Sequence, residues 1–344
     1  MFKGCYTALV TPMRADGSVD YAGLEKLIEF QIANRIQGIL AVGTTGESPT
    51  LLWEEHNEVV ERTCRQAKGR CLPIAGTGSN STRETLAGTE HAAHVGAEAA
   101  LLVDPYYNGP SSVEIRREYV EPVAREFPQL QLIPYIIPGR TGTMMHPEDL
   151  AILARQYANV SSVKEATGNL ENMAKTRRLC GEKFAILSGD DDKTAAMMKN
   201  PQIRACGVIS VASNVAPGPI QRLTELLNDG DPAADELAAD LQPLFGIVTV
   251  TTTESSPYGP VQCKARNPLA IKTLMNLLGM PAGPCRRPLG RMTRAGIEVV
   301  VQAARQTLAN DPSILEPVAR FFEVDIEARL KDSRLVEKLT YASY

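Results

Sequence analysis

Tryptophan occurs once and histidine four times in these 344 residues, and aromatic side chains make up only 5% of the chain. So few imidazoles leave little material for a histidine-built metal centre. His91 and His94 stand three apart on an expected helix without carboxylates in ligand spacing, so both read as non-ligands and no metal is expected. The seven cysteines, Cys5, Cys64, Cys71, Cys180, Cys206, Cys263 and Cys285, are odd in number, scattered, and nowhere spaced C-x-x-C. That pattern speaks against a disulfide framework or a zinc site and for free thiols in a reducing cytosol. Neither sign of charge dominates. The net charge of −4 gives no electrostatic case for nucleic acid or an anionic membrane. No run approaches the about 18 apolar residues that a membrane-spanning helix needs. Residues 1–6 pass into a strand-like segment with no basic region, apolar stretch and cleavage site, so no signal peptide is read. The expected setting is cytoplasmic and the expected partner a small molecule.

What is present is a regular alternation. Short apolar runs at 6–10, 38–42, 72–75, 99–103, 130–135, 160–164, 184–187 and 207–211 read as strands. Amphipathic patterns at 21–34, 53–67, 83–95, 113–127, 147–157, 170–180, 193–200 and 220–227 read as helices. Strands alternating with helices pair in parallel through right-handed crossovers, and eight units within about 225 residues match a closed (β/α)8 barrel. An open doubly wound sheet is the alternative. Against it, the first strand-to-turn junction has no G-x-G-x-x-G, and Gly76-Thr77-Gly78 lacks the third glycine. The fold class is therefore α/β: a TIM barrel over 1–228, a C-terminal helical region over 229–309 and a helical extension over 310–344.

Past Asn228 the chain is expected to be mainly helical, with helices at 232–245, 268–278, 293–309 and 314–339 and breakers at 229–232, 251–260, 279–288 and 310–312. The last segment carries Leu315, Val318, Phe322, Ile326, Leu330, Val336 and Leu339 near helical spacing. It reads as a helix pair that buries this stripe and serves structure or assembly.

In a parallel barrel the active site lies at the C-terminal ends of the strands, so residues just past each apolar run can converge. Strand two is followed by Gly43-Thr44-Thr45-Gly46-Glu47-Ser48 and strand four by Asp104-Pro105-Tyr106-Tyr107-Asn108. Strand five ends on Tyr135, ahead of Pro138-Gly139-Arg140-Thr141-Gly142, and strand six ends on Lys164. The predicted mouth thus holds one amine, the hydroxyls of Thr44, Thr45, Tyr107 and Tyr135, one guanidinium and no imidazole. An ordinary lysine, with a pKa of about 10.4, is protonated at neutral pH, whereas a desolvated one is depressed and can attack a carbonyl to form an imine. Hydroxyls can relay the protons this chemistry moves, the turn at 43–46 can hold a carboxylate, and Arg140 offers a fork for a second one. Plainer uses stand beside these: a lysine that snorkels to water, a tight turn, core or interface tyrosines, a surface arginine. Asp190-Asp191-Asp192 looks like a cation site but precedes an expected helix, where acidic residues complement the dipole.

Taken together, several segments resemble the dihydrodipicolinate synthase branch of the class I, Schiff-base pyruvate lyases, from Phe2 to about Ala309. They are Gly43–Leu51, Pro105-Tyr106-Tyr107-Asn108, Tyr135 with Pro138–Gly142, Val163-Lys164-Glu165-Ala166-Thr167-Gly168-Asn169-Leu170, Leu187–Asp191 and Gly207–Val211. The resemblance implies that Lys164 forms the imine with pyruvate while Tyr135, Thr44 and Tyr107 make a proton relay, Tyr107 coming from the neighbouring subunit of a homotetramer built as a dimer of dimers. Thr45 would hold the pyruvate carboxylate, the Ile209 carbonyl would line the pocket, and Arg140 would bind the carboxylate of L-aspartate 4-semialdehyde. No external cofactor would be needed. The product would be 4-hydroxy-tetrahydrodipicolinate.

The resemblance also implies an allosteric site for L-lysine built from Ser48, His56, Asn80, Glu84 and Tyr106, beside Trp53, with Glu84 pairing the effector's ammonium; solvated helix residues are the plainer reading of His56 and Glu84. The chain departs from the pattern where the family commonly has Asn and a small polar residue and this sequence has Ile136 and Gly139. It departs again in the longer approach, 251–265, to Asn267-Pro268, and in residues 310–344. Alternatives on the same scaffold are an N-acetylneuraminate lyase-like, keto-deoxy-sugar-acid aldolase-like or hydratase-aldolase-like enzyme, or a non-catalytic paralogue that senses lysine or pyruvate.

Overall fold

All eight apolar runs form strands: β1 (Gly4–Ala8), β2 (Gly38–Ala41), β3 (Leu72–Gly76), β4 (Ala99–Val103), β5 (Gln131–Ile136), β6 (Ser162–Glu165), β7 (Ala185–Ser188) and β8 (Gly207–Ser210). The computed structural model describes residues 2–342. Neighbouring strands pair in parallel in chain order and β8 closes on β1, which leaves the barrel no free edge. The strands are buried on both faces, as a parallel sheet covered by helices must be. Tyr6, Leu40, Ile74, Leu101, Ile133 and Leu187 fill the interior.

The outer layer consists of α1 (Tyr21–Ala33), α2 (Trp53–Ala67), α3 (Thr82–His94), α4 (Ser112–Glu114), α5 (Glu121–Glu126), α6 (Pro138–Thr141), α7 (Pro147–Gln156), α8 (Leu170–Cys180), α9 (Thr194–Lys199) and α10 (Pro217–Asp229). Side chains at Asp20, Ser81 and Asn169 accept the free N–H groups at the starts of α1, α3 and α8. The single helix expected at 113–127 is instead interrupted by a π-helical stretch, Ile115–Val120. Pro122, two residues past its end, has no N–H with which to continue the α ladder.

Beyond the barrel lie α11 (Ala233–Gly246), β9 (Thr249–Ser256), β10 (Gly259–Arg266), α12 (Leu269–Leu277) and α13 (Arg294–Asn310). The stretch 251–260, expected as a breaker in a mainly helical region, belongs instead to β9 and β10, which form an antiparallel hairpin from Thr249↔Arg266 to Ser256↔Gly259. The stretch read as a breaker is rich in β-branched threonine, and Val261, Cys263 and Ala265 alternate with polar residues. Its weak amphipathicity concealed it: one face is half-buried and the other exposed, and Tyr258 at its tip is fully exposed.

The extension folds as three short helices rather than a pair: α14 (Glu316–Phe322), α15 (Ile326–Lys331) and α16 (Ser333–Leu339). Glu323, in the left-handed region at φ 54°, ends α14. Ile314, Leu315, Val318, Phe322 and Leu330 are buried in the same cluster as Phe30 of α1 and Leu274 of α12. The Phe322 ring lies 5.2 Å from that of Phe30. Arg329 donates to the carbonyls of Leu277 and Asn276 at 2.8 and 2.9 Å, satisfying the end of α12. Among the described residues no helix is long and apolar enough to cross a membrane.

Candidate active site

Side chains alternate along β6, so Lys164 points into the barrel and Glu165 away from it. The partner of Lys164 across the ladder is Tyr135 of β5, and the Lys164 Nζ lies 4.2 Å from the centre of that ring. Lys164 is 4% exposed, which rules out snorkelling. Burial pulls the amine down to a pKa of about 8, against the opposing influence of Asp190 and Asp191, so an appreciable fraction is neutral near pH 7. Burial also pushes the Tyr135 phenol well up, opposed by the Arg140 charge and the Thr44 hydroxyl. Gly189 is required beside this pair: a Cβ there would lie 2.8 Å from the Ala166 Cβ and 3.2 Å from the Lys164 Cε.

Above the pair opens a cavity of about 190 Å³ whose wall includes Thr44, Tyr135, Arg140, Ile137 and Val103. The turn at 43–46 is more than a connector. Val42, β-branched, is held at φ 49°, a strained geometry that persists only where the surroundings enforce it. Thr45 is buried and its Oγ1 accepts the Asn267 amide at 3.0 Å. Glu47, at φ 58°, is locked to Lys272 of α12 by a buried ion pair of 2.7 Å. Arg140 donates to the Asn267 carbonyl at 3.1 Å, and Arg266 donates to that of Gly139 at 3.3 Å.

Four expected members lie off this cavity's wall: Lys164 and Thr45, which adjoin Tyr135 and Thr44 of it, and Tyr107 and Ile209. Tyr107, at φ 85°, is 94% exposed and outside the cavity. Ile209 is fully buried in the inner cluster that includes Tyr135, but is not part of the cavity wall. The acidic triplet does open a helical segment, with Asp191 and Asp192 in the first turn ahead of α9; Asp191 is also buried and accepts from the Ser210 hydroxyl and the Val211 and Ala212 amides, tying the turn after β8. Among the described residues no cluster could hold a metal. Sequence reasoning missed the roles of Asn267 and Lys272. The available signals were a lysine inside the apolar run Leu269–Leu277 and the Asn-Pro pair ahead of it. A larger cavity, about 680 Å³ between the hairpin and the start of α13, includes none of the predicted site residues.

A third cavity of about 130 Å³ is lined by Ser48, His56, Glu84, Tyr106 and Trp53. Asn80 is exposed and outside it, while Ser79 takes part and donates to Glu84. Burial lowers the His56 pKa; its Nε2 pairs with the Gly76 carbonyl at 2.9 Å and its Nδ1 is buried without a partner. Ser48, Pro49, Gly78 and Tyr106 line both this cavity and the one above Lys164.

The model of the dihydrodipicolinate synthetase family matches residues 1–307. A relative from Methanococcus vannielii, named 4-hydroxy-tetrahydrodipicolinate synthase, is 38% identical over 89% of this chain and 98% of its own. The solved structure of the Cyanidioschyzon merolae enzyme with lysine bound superposes with a TM-score of 0.80 at 35% identity, covering 89% of this chain and 98% of that one. The Acinetobacter baumannii dihydrodipicolinate synthase complexed with pyruvate gives 0.80 at 33% identity, covering 89% and 99%. With a match of this extent, the chain belongs to the dihydrodipicolinate synthetase family.

Proposed function

We propose that this chain condenses pyruvate with L-aspartate 4-semialdehyde to 4-hydroxy-tetrahydrodipicolinate through an imine on Lys164. The names of its relatives support the reaction. The observation that carries the site assignment is the depressed, buried Lys164 amine beside Tyr135, under a cavity that also presents Arg140. The neutral amine adds to the keto carbon of pyruvate, and the carbinolamine loses water to give the imine. Loss of a methyl proton gives the enamine, whose carbon attacks the aldehyde while the aldehyde oxygen takes up a proton. The substrate's amino group then adds to the imine carbon and expels the lysine amine, so one water leaves overall. Tyr135 and Thr44 carry protons between these steps. Thr45 binds the pyruvate carboxylate and Arg140 that of the second substrate. The imine is the electron sink, so the chemistry calls for no cofactor.

Tyr107 completes the relay across a subunit contact, in a homotetramer. Its outward placement and left-handed backbone support a role outside its own protomer. L-Lysine acts as effector in the cavity of His56, Glu84 and Tyr106, and the wall shared with the cavity above Lys164 supports coupling between them.

Pyruvate with borohydride should leave a reduced three-carbon adduct on the peptide containing Lys164, and aspartate semialdehyde should be consumed in preference to sugar aldehydes. Labelling at another lysine, or turnover of sugar aldehydes only, would overturn the proposal.

A further inference from the structure

We infer that Asn267 is a positioning residue for pyruvate: its amide fixes the direction of the Thr45 hydroxyl so that this hydroxyl donates to the substrate carboxylate. The inference rests on the functional reading above. A threonine hydroxyl has one proton and two acceptor sites. The Asn267 Nδ2 fills one acceptor site on Thr45 Oγ1 at 3.0 Å, and among the described residues nothing accepts the hydroxyl's own proton. Thr45 is buried directly behind Thr44 of the cavity wall, so that proton is left for a ligand seated beside Thr44, and its bond to a carboxylate would be charge-assisted. With the amide reversed, Oδ1 would take the proton and Thr45 would present only lone pairs to an anion.

The orientation is not chosen for the comfort of Asn267. The residue is 7% exposed, and its Oδ1 is buried without a partner, a cost that a purely structural asparagine would be expected to relieve. Its backbone is anchored as well, because its carbonyl receives Arg140 at 3.1 Å and the preceding Arg266 grips the Gly139 carbonyl. Asn267 lies just past β10, so the residue that sets the polarity of a barrel loop comes from outside the barrel.

A double-mutant cycle with Thr45→Val tests this. Asn267→Ala should raise the KM for pyruvate about tenfold, the worth of roughly one hydrogen bond, with the KM for aspartate semialdehyde within about twofold of the parent and little change in kcat. In the Thr45→Val background the same change should add less than about twofold. Asn267→Asp, nearly isosteric and so usable even if the alanine variant folds poorly, should raise the pyruvate KM by about 100-fold, because it both takes the Thr45 proton and sets a negative charge beside the substrate. Equal effects of Asn267→Ala in both backgrounds, or identical pyruvate KM values for the alanine and aspartate variants, would overturn the assignment. Borohydride labelling of Lys164 in the unaltered protein separates the two readings. A failed cycle with Lys164 labelled sinks only the role of Asn267, and an unlabelled Lys164 sinks both.

Discussion

Replacing Lys272 with methionine should expose how the loop bearing Thr44 and Thr45 is held. Lys272 and Glu47 are each 1% exposed at the side chain and lie 2.7 Å apart. The other two ammonium protons go to the carbonyls of Pro284 at 2.8 Å and Thr11 at 3.1 Å. The second Glu47 oxygen accepts the Arg286 amide at 2.7 Å. Methionine keeps the length and apolar stem of lysine but removes the cation, leaving a buried carboxylate with one neutral donor. Breaking a buried pair from one side costs about 3–5 kcal/mol. Lys272→Met should therefore lose about 3–5 kcal/mol, read from urea unfolding with unchanged m. Adding Glu47→Gln should restore much of the loss, because no charge then remains buried alone. A loss below about 1 kcal/mol, or a loss that Glu47→Gln does not reduce, would refute the reasoning.

Because burial lowers the Lys164 amine to about 8, the initial rate of borohydride-trapped imine formation should climb from pH 6 and level off above about pH 8; a climb that continues to pH 10 would contradict the desolvated site. Burial raises the Asp104 carboxyl to about 7, with Glu165 nearby also raised to about 7, and Asp104 Oδ1 and Glu165 Oε2 are buried without partners. A carboxyl raised in the folded state gives stability that is full at low pH and lost as pH rises through that value. Asp104→Asn should thus reduce the fall in Tm between pH 5 and pH 8, and an unchanged slope would count against the assignment. Phe322→Ala should cost about 3–5 kcal/mol by opening a cavity against Phe30, and a change below about 1 kcal/mol in thermal or urea unfolding would show that α14 does not depend on this contact.

The barrel was legible because a parallel sheet buried on both faces leaves an unbroken apolar run for each strand, and eight such runs separated by amphipathic helices admit few closures. Lys164, Tyr135, Thr44 and Arg140 could be named from their places just past those runs, since strand ends in a barrel share one rim. The hairpin Thr249–Arg266 was not legible, because only one of its faces is half-buried, the polar residues of β9 and the turn at 257–260 read as a breaker, and its two strands pair only with each other. Nor was the ordering of the site. Position in the chain puts Tyr107 at the rim, and only the family resemblance anticipated a placement away from its own cavity, where the structure leaves it 94% exposed. Asp191 looked like one of three acidic neighbours until the fold brought the turn after β8 onto it. Asn267 and Lys272 meet Thr45 and Glu47 across more than two hundred residues of chain. Local propensity and periodicity determine which elements form and which side chains reach the rim. Direction, protonation and partners depend on desolvation and on contacts between distant segments, which exist only once the chain has closed.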